Sequence, residues 1–241
     1  MLGIPEPEVG MRKDDSDAPT WLVTGANRGL GLEFVRQLAR RGDRVIATAR
    51  RPDEARDLAR LPVRVEPLEV TDPNSIARLA RSLDAVPIDL LVLNAAIGGP
   101  DAGIETLAMD EVARAFAVNS IGPLAVSQAL LSNLRAARRK CIVGLTSGLG
   151  SISRNSDGGW YAYRASKAAL NQLVRTLAEE LGRQGFTCVV VCPGWVRTDM
   201  GGPDAPITPE ESVSALLHVL DGLGTKDNGS FLDRRGKPVP W

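Results

Sequence analysis

A regular alternation of short apolar runs with longer amphipathic stretches constrains the fold of this chain more than any other feature. Runs such as RVIATAR, IDLLVLNAA and TCVVVCPG are continuous and rich in β-branched residues, as expected of strands covered by helices on both faces. The stretches between them, among them EFVRQLARRG and NSIARLARSL, place apolar residues at helical spacing. This order predicts an α/β fold with a doubly wound parallel sheet of about seven strands and helices on both faces.

The chain divides into a short arm and one domain. Residues 1–19 are polar, charged and rich in proline without an apolar period, so we predict a flexible N-terminal arm. The apolar alternation starts near Thr20 and continues without a linker. Residues 20–241 are therefore expected to form one domain, a size at which a single α/β core is ordinary.

Composition argues against several kinds of partner. Lysine plus arginine and aspartate plus glutamate both total 29, so there is no basic field to attract nucleic acid or an anionic membrane surface. There is neither an apolar run of about 18 residues nor a basic and apolar leader, so we expect a cytoplasmic protein. Cys141, Cys188 and Cys192 lie in apolar runs and are predicted to be inert core thiols. His218, as the single histidine, cannot build a metal site.

A glycine-rich turn, TGANRGLG, follows the first predicted strand and opens into a helix. Gly25, Gly29 and Gly31 let the backbone approach a diphosphate, and free amides at the helix start supply donors and partial positive charge. A tight turn without a ligand is the alternative, but the strand before it and the helix after it favour a dinucleotide. We therefore predict a single Rossmann-type nucleotide-binding domain.

Three arginines near this turn bear on which dinucleotide is bound. The second predicted strand ends at Arg50 and Arg51, where a site for NAD places an acid that accepts from the ribose hydroxyls. Arg28, inside the glycine turn, is expected near the same corner. Arg28 and Arg50 are thus predicted to clamp a 2′-phosphate. The prediction is NADP(H), against the alternative that these arginines are solvated surface charges.

Tyr163 and Lys167 lie one helical turn apart in WYAYRASKAAL, whereas Ala165 occupies the same spacing from Tyr161. A phenol with a pKa of about 10 exchanges protons poorly at neutral pH, and a nearby ammonium favours the phenolate. We expect Lys167 to move the pKa of Tyr163 toward working pH and to make the phenol a general acid or base. On spacing alone, the alternative is a packed ring beside a surface charge.

Six motifs follow one another along the chain: TGANRGLG, LNAA, VNSIGP with Asn119, LTSGLGS with Ser147, the Y-x-x-x-K pair at Tyr163, and PGWVRTDM. In this order and at these separations they resemble the short-chain dehydrogenase/reductase family over about residues 20–241. The stretches DGGWYAYRASK and NGSFLDRRGKPVPW are most similar to the C-factor-like, sniffer-type carbonyl reductases. The resemblance implies reversible, NADPH-dependent reduction of an aldehyde or ketone to an alcohol.

The resemblance gives each matching residue a role. Tyr163 would donate the proton to the substrate oxygen, Lys167 would bond the nicotinamide ribose, and Ser147 would bind the reacting oxygen. Asn119 would support a water relay to the lysine. Ser151 is the alternative serine, because the separation of Ser147 from Tyr163 exceeds the usual one. The implied cofactor-binding residues are Gly25, Asn27, Arg28, Gly29, Leu30, Gly31, Arg50, Val70, Asn94, Ala95, Tyr163, Lys167, Pro193, Gly194, Val196 and Thr198, with no metal ligand.

Other functions stay open. The same fold suits a catalytically idle NADP-binding regulatory or signalling protein. Such a protein, however, has no chemical need for the set Asn119, Ser147, Tyr163 and Lys167. An alcohol dehydrogenase is a further alternative, because the same residues serve both directions. The small carbonyl or alcohol substrate is expected between residues 149–160 and a glycine- and proline-rich lid after Thr198. The resemblance also implies a homodimer or homotetramer through the helices carrying Asn119 and Tyr163.

Overall fold

The computed structural model of the protein describes residues 18–99 and 101–241. Within them the strands are β1 Thr20–Val23, β2 Arg44–Ala49, β3 Arg64–Pro67, β4 Leu90–Leu93, β5 Cys141–Leu145, β6 Thr187–Cys192 and β7 Phe231–Asp233. The α-helices are α1 Gly29–Arg40, α2 Pro73–Ser82, α3 Met109–Phe116, α4 Gly122–Ala129, α5 Leu131–Ala136, α6 Tyr161–Leu181 and α7 Pro209–Asp221. Strands and helices alternate along most of this length, as the sequence pattern predicts.

The seven strands form one parallel sheet in the order β3-β2-β1-β4-β5-β6-β7. Leu22 of β1 pairs with Ile46 of β2 on one side and with Leu91 of β4 on the other. The chain winds outward from this centre in both directions, so the predicted doubly wound, Rossmann-type fold is confirmed. Because all strands are parallel, their carboxyl ends lie along one edge of the sheet.

Successive residues of each strand face two different cores. On β1, Trp21 and Val23 pack with helices α1 and α7, whereas Leu22 packs with α2, α4, α5 and α6. Helices therefore cover both faces of the sheet. A strand buried on both faces needs apolar residues at every position, which explains the continuous apolar runs in the sequence.

The segment between β4 and β5 differs from the predicted pattern. Helical spacing in ETLAMDEVARAFAV predicts a helix from Glu105, but α3 begins at Met109. Residues Ala117–Ile121 then form a π-helical turn that continues into α4. Such turns are rare in proteins, and those that occur are often at functional sites. Asn119 lies within this one.

The predicted arm, residues 1–19, lies outside the described residues apart from Ala18 and Pro19, and it stays a prediction. The carbonyl oxygens of these two residues accept hydrogen bonds from Arg44, at 3.1 Å from its Nε and 3.2 Å from its backbone nitrogen. In the part of the chain that the structure describes, no helix is both long and apolar enough to cross a membrane.

Candidate active site

The carboxyl ends of four neighbouring strands bring the predicted site residues together. Thr24 follows β1, Asn94 follows β4, Ser147 comes two residues after β5, and Pro193 follows β6. Parallel sheets of this kind bind their ligands at this edge, next to the point where the strand order reverses. The chain therefore places residues of four separate motifs along one edge of the sheet, beside the reversal of strand order between β1 and β4.

The turn after β1 leaves no space for side chains at two of its glycines. A Cβ on Gly31 would lie 2.4 Å from the carbonyl oxygen of Gly25 and 2.5 Å from Asn94 Nδ2. A Cβ on Gly25 would lie 2.9 Å from Ala95 Cα, and Gly25 itself has a φ of 66°, which side chains rarely adopt. Only glycine therefore permits this turn, and its backbone lies open to a ligand at the exposed residues 27–28.

The start of α1 presents backbone amides to the same space. Arg28 is the N-cap residue, and among the described residues its side chain makes no capping hydrogen bond. The first turn of α1 also carries no acidic side chain. Free amides and the positive end of a helix dipole attract anions, so this helix start fits the diphosphate of a dinucleotide.

Asn94 fastens the glycine turn to β4. Its Nδ2 donates to the carbonyl oxygens of Thr24 at 2.8 Å and Gly25 at 3.0 Å. Thr24 Oγ1 in return accepts from the backbone nitrogens of Asn94 and Ala95, both at 3.0 Å. The Nδ2 group of Asn94 thus fixes the backbone of the glycine turn, and its predicted contact with a cofactor stays a prediction.

The two arginines predicted to clamp a 2′-phosphate face separate carboxylates. Arg28 Nη1 lies 3.0 Å from Asp199 Oδ2, and Arg50 Nη1 lies 4.0 Å from Glu69 Oε2. The Arg28 and Arg50 side chains are 64% and 72% exposed. Ion pairs this exposed contribute little free energy, so neither arginine is strongly held by its present partner.

The segment after β6 reaches across to the glycine turn. Ser212 Oγ donates to the carbonyl oxygen of Pro193 at 2.8 Å, which fixes the end of β6 to α7. Further along, a Cβ on Gly29 would lie 3.6 Å from Thr198 Cγ2, so the two segments touch. The remaining predicted cofactor residues are Gly194, with a φ of 87°, and the buried Val196 and Val70.

Tyr163 lies in the first turn of α6, and its hydroxyl is close enough to that of Ser147 for the serine to affect its pKa. Burial raises the pKa of Tyr163 to about 12, although the Ser147 hydrogen bond lowers it in part. Lys167 Nζ lies 5.8 Å from the centre of the Tyr163 ring and donates to the carbonyl oxygen of Leu145 at 2.8 Å. Burial lowers the pKa of Lys167 to about 8.

The expected lowering of the Tyr163 pKa by Lys167 is wrong for this structure. The Lys167 ammonium donates to Leu145, and burial, which disfavours the phenolate, dominates the pKa of Tyr163. Tyr163 therefore keeps its proton at neutral pH. Because an alkoxide is far more basic than a phenolate, such a phenol still transfers its proton to an oxygen that develops negative charge.

The structure separates the two candidate serines. Ser147 accepts a hydrogen bond from Leu149 N at 3.1 Å, and its hydroxyl lowers the pKa of Tyr163 in part. Ser151 is 1% exposed, and its hydroxyl donates to the carbonyl oxygen of Pro240 at 2.6 Å. The two serines flank a short 3₁₀ turn, Gly148–Gly150. Of the two, Ser147 is the one beside the tyrosine.

Asn119 joins the loop after β4 to α6. Its Oδ1 accepts from Ile97 N at 2.8 Å, and its Nδ2 donates to Ile97 O at 2.9 Å and to Ser166 Oγ at 3.0 Å. Ser166 precedes Lys167, so Asn119 holds the helix turn that carries the lysine. The water relay predicted for Asn119 stays a prediction.

Cys192 is a site residue that the sequence pattern missed. Cys141 and Cys188 are buried, as predicted for core thiols, but Cys192 is only half-buried. Its sulfur lies close enough to Tyr163 and Lys167 to influence the pKa of both. The apolar run TCVVVCPG suggests burial throughout, and only the position of Cys192 at the end of β6 indicates its place in the site.

A Rossmann-type sheet whose carboxyl edge carries an open glycine turn and a Tyr163–Ser147–Lys167 set defines a nucleotide-dependent oxidoreductase. The family model for short chain dehydrogenases matches residues 19–206. The chain belongs to this family.

Individual relatives agree with that membership. The chain is 44% identical over 155 residues to the C-signal of Myxococcus xanthus, a match that covers 64% of this chain and 93% of the relative. It resembles the carbonyl reductase Sniffer of D. melanogaster, with 31% identity and a TM-score of 0.89 over 93% of this chain and 100% of that one. It also resembles the NADPH-bound carbonyl reductase from chicken fatty liver, with 37% identity and a TM-score of 0.88 over 93% of this chain and 99% of that one. The sniffer-type resemblance is confirmed.

Proposed function

We propose that the protein reduces an aldehyde or ketone to an alcohol with NADPH, in a reversible reaction. The observation that carries this proposal is the protonated, half-buried Tyr163 hydroxyl beside Ser147 and one helical turn from Lys167. This group lies at the sheet edge that also carries the glycine turn. Family membership and the likeness to two solved carbonyl reductases support the same reaction.

NADPH fits the residues that are present. The backbone of residues 25–31 would hold the diphosphate, because Gly25 and Gly31 allow close approach and the α1 amides are free. Arg28 and Arg50 would turn from their exposed ion pairs to the 2′-phosphate. The segment from Pro193 to Thr198 would hold the nicotinamide. The solved chicken fatty liver enzyme is NADPH-bound, which supports this choice of cofactor.

Bound NADPH supplies the hydride that adds to the carbonyl carbon. Tyr163 gives its proton to the carbonyl oxygen, and this proton and the hydride together complete the alcohol. Ser147 donates a hydrogen bond to the same oxygen, holds it near the phenol and stabilises its developing charge. Lys167, which is positively charged below a pH of about 8 and lies 5.8 Å from the centre of the Tyr163 ring, would bond the nicotinamide ribose.

Apolar side chains around the site favour an apolar substrate. Trp195 is 57% exposed, and Met200 and Ile152 are also largely exposed. Trp195 Nε1 donates to the carbonyl oxygen of Gly201 at 2.7 Å, which ties the two ends of that loop together. We propose that residues 149–160 and 199–207 line the substrate pocket, the second segment acting as its lid. The proposed assembly is a homodimer or homotetramer through the helical segments that carry Asn119 and Tyr163.

A catalytically idle signalling protein is the second candidate function. The observation that favours it is the 44% identity to the C-signal of Myxococcus xanthus. The presence of Tyr163, Ser147, Lys167 and Asn119 argues against it, since a protein without chemistry has no need of a phenol with a perturbed pKa beside a buried ammonium.

Turnover separates the two candidates. NADPH oxidation is followed by absorbance with a panel of aldehydes, ketones and quinones, with NADH in parallel. We expect turnover of at least one apolar carbonyl and a preference for NADPH. Tight NADPH binding without turnover of any carbonyl would favour the signalling protein.

A further inference from the structure

Residues 237–241 return along β7 toward the loop that carries Ser147. After β7 the chain turns at Gly236, which has a φ of 77°, and Asp233 N donates to Lys237 O at 2.8 Å. Leu232 and Pro238 then form an antiparallel bridge, and Val239 N donates to Phe231 O at 2.8 Å. The segment therefore has a fixed register on the sheet edge.

This segment is also anchored by its side chains. Val239 is buried in the core that contains Phe231. The ring of Trp241 packs on the ring of Phe231 with 5.5 Å between their centres. Backbone pairing and apolar packing together place the carbonyl groups of residues 240 and 241 at defined positions.

Three hydrogen bonds connect these carbonyl groups to the loop after β5. Ser151 Oγ donates to Pro240 O at 2.6 Å, and Ser153 donates to Trp241 O from its backbone nitrogen at 3.0 Å and from its Oγ at 2.6 Å. Ser151 itself is buried, so removing its hydroxyl takes away a hydrogen bond that is made from inside the protein to the Pro240 carbonyl oxygen.

One compact turn couples Ser151 to Ser147. Gly150 N donates to Ser147 O at 2.9 Å, and Ser151 N donates to Gly148 O at 3.2 Å. The turn presses against α6, where a Cβ on Gly150 would lie 2.9 Å from Lys167 Cβ. The Ser147 turn is therefore held between α6 on one side and residues 239–241 on the other.

We infer that residues 239–241 position the Ser147 hydroxyl for the reaction, acting through Ser151 and Ser153. Ser151 is then a positioning residue, because its hydroxyl is bonded to the Pro240 carbonyl and not to Tyr163. The inference rests on the proposed function, since it gives the position of Ser147 a role in turnover. It explains why a second serine stands four residues after the first without belonging to the catalytic set.

A double-mutant cycle tests this role. Ser151→Ala and Ser153→Ala are made in the wild-type chain and in Ser147→Ala, with Ser214→Ala, an exposed serine on α7, as the matched control. We expect Ser151→Ala to lower kcat roughly 10-fold, because small displacements of a reacting group are costly, and to leave the Kd for NADPH within about twofold. In the Ser147→Ala background the same change should cause no further loss, since both act through one hydroxyl.

Trp241 provides an independent arm that leaves the serines intact. Trp241→Phe keeps an aromatic ring against Phe231, whereas Trp241→Ala removes it. We expect Trp241→Phe to turn over like wild type and Trp241→Ala to lose kcat as Ser153→Ala does, with NADPH binding retained in both. Thermal unfolding of each variant shows that the fold persists at the assay temperature.

Two results would overturn the inference. One is full kcat in Ser151→Ala and Ser153→Ala; the other is an equal fold-loss in both backgrounds, which marks a general structural role. If Ser147→Ala loses turnover and Ser151→Ala does not, only the positioning role is refuted. If wild type reduces no carbonyl, the proposed function fails, and the positioning role fails with it.

Discussion

The proposed cofactor half and the proposed substrate half of the site are built by different means. On the cofactor half, the turn after β1 takes its shape from backbone atoms, with no space for a Cβ at Gly25 or Gly31. On the substrate half, the turn after β5 takes its shape from side-chain hydrogen bonds to remote segments, such as Ser151 to Pro240. We expect changes in the first half to alter NADPH affinity and changes in the second half to alter turnover.

Among the changes at Ser147, Gly31, Lys167 and Arg50, loss of the Ser147 hydroxyl should give the largest effect. Removing one donor to a developing oxyanion typically costs about 10²- to 10³-fold in kcat, so Ser147→Ala should lose that much turnover. Its Kd for NADPH, measured by fluorescence titration, should stay within about twofold of wild type. A loss of NADPH affinity as large as the loss of kcat would remove the distinction between the halves.

Gly31→Ala should have the opposite effect, because it should lower NADPH affinity and not turnover. The new Cβ would lie 2.4 Å from Gly25 O, and such overpacking costs about 1–3 kcal/mol. NADPH affinity should therefore fall roughly 10- to 100-fold. Gly222→Ala is the control, because a Cβ there would meet atoms only at 3.6 Å or beyond. Isothermal titration measures both, and unchanged affinity in Gly31→Ala would show that the glycine turn does not hold the cofactor.

The contrast also explains what the sequence predicts well. Each strand, the glycine turn and the Tyr163–Lys167 pair can be recognised from the spacing of residues within one short stretch of sequence. The Ser151–Pro240 and Arg28–Asp199 contacts join residues 89 and 171 positions apart, so no local pattern contains them. The predicted lowering of the Tyr163 pKa is wrong for the same reason. Burial raises this pKa, and burial depends on how several distant segments pack.

Lys167 lies between the two halves, and its protonation state should make NADPH affinity depend on pH. Burial lowers its pKa to about 8, below the ordinary 10.5, so it is charged below that pH and loses its proton as the pH rises through it. A neutral amine forms weaker hydrogen bonds than an ammonium, so NADPH affinity should fall about tenfold above pH 8. In Lys167→Arg the charge persists, and binding titrations should show no such decline near pH 8. The same decline in both proteins would assign it to another group.

The smallest effect should come from the predicted phosphate clamp. Arg50→Ala should weaken NADPH binding roughly fivefold and leave NADH binding unchanged, because an exposed charge contributes little free energy. Arg51→Ala is the matched control, since Arg51 Nη1 lies 2.8 Å from Glu54 in its own ion pair. Equal losses for NADPH and NADH in competition titrations would show that Arg50 does not read the 2′-phosphate.

Proton donation by Tyr163 is most directly tested by a Tyr163→Phe variant in which NADPH binding and NADPH oxidation are measured on the same preparation. The ring is retained, so the cofactor half should remain intact and the Kd for NADPH should be close to that of wild type. A placed proton donor contributes about 10²- to 10⁴-fold, and carbonyl-dependent NADPH oxidation should fall by that factor. Oxidation at the wild-type rate would contradict the role of this phenol.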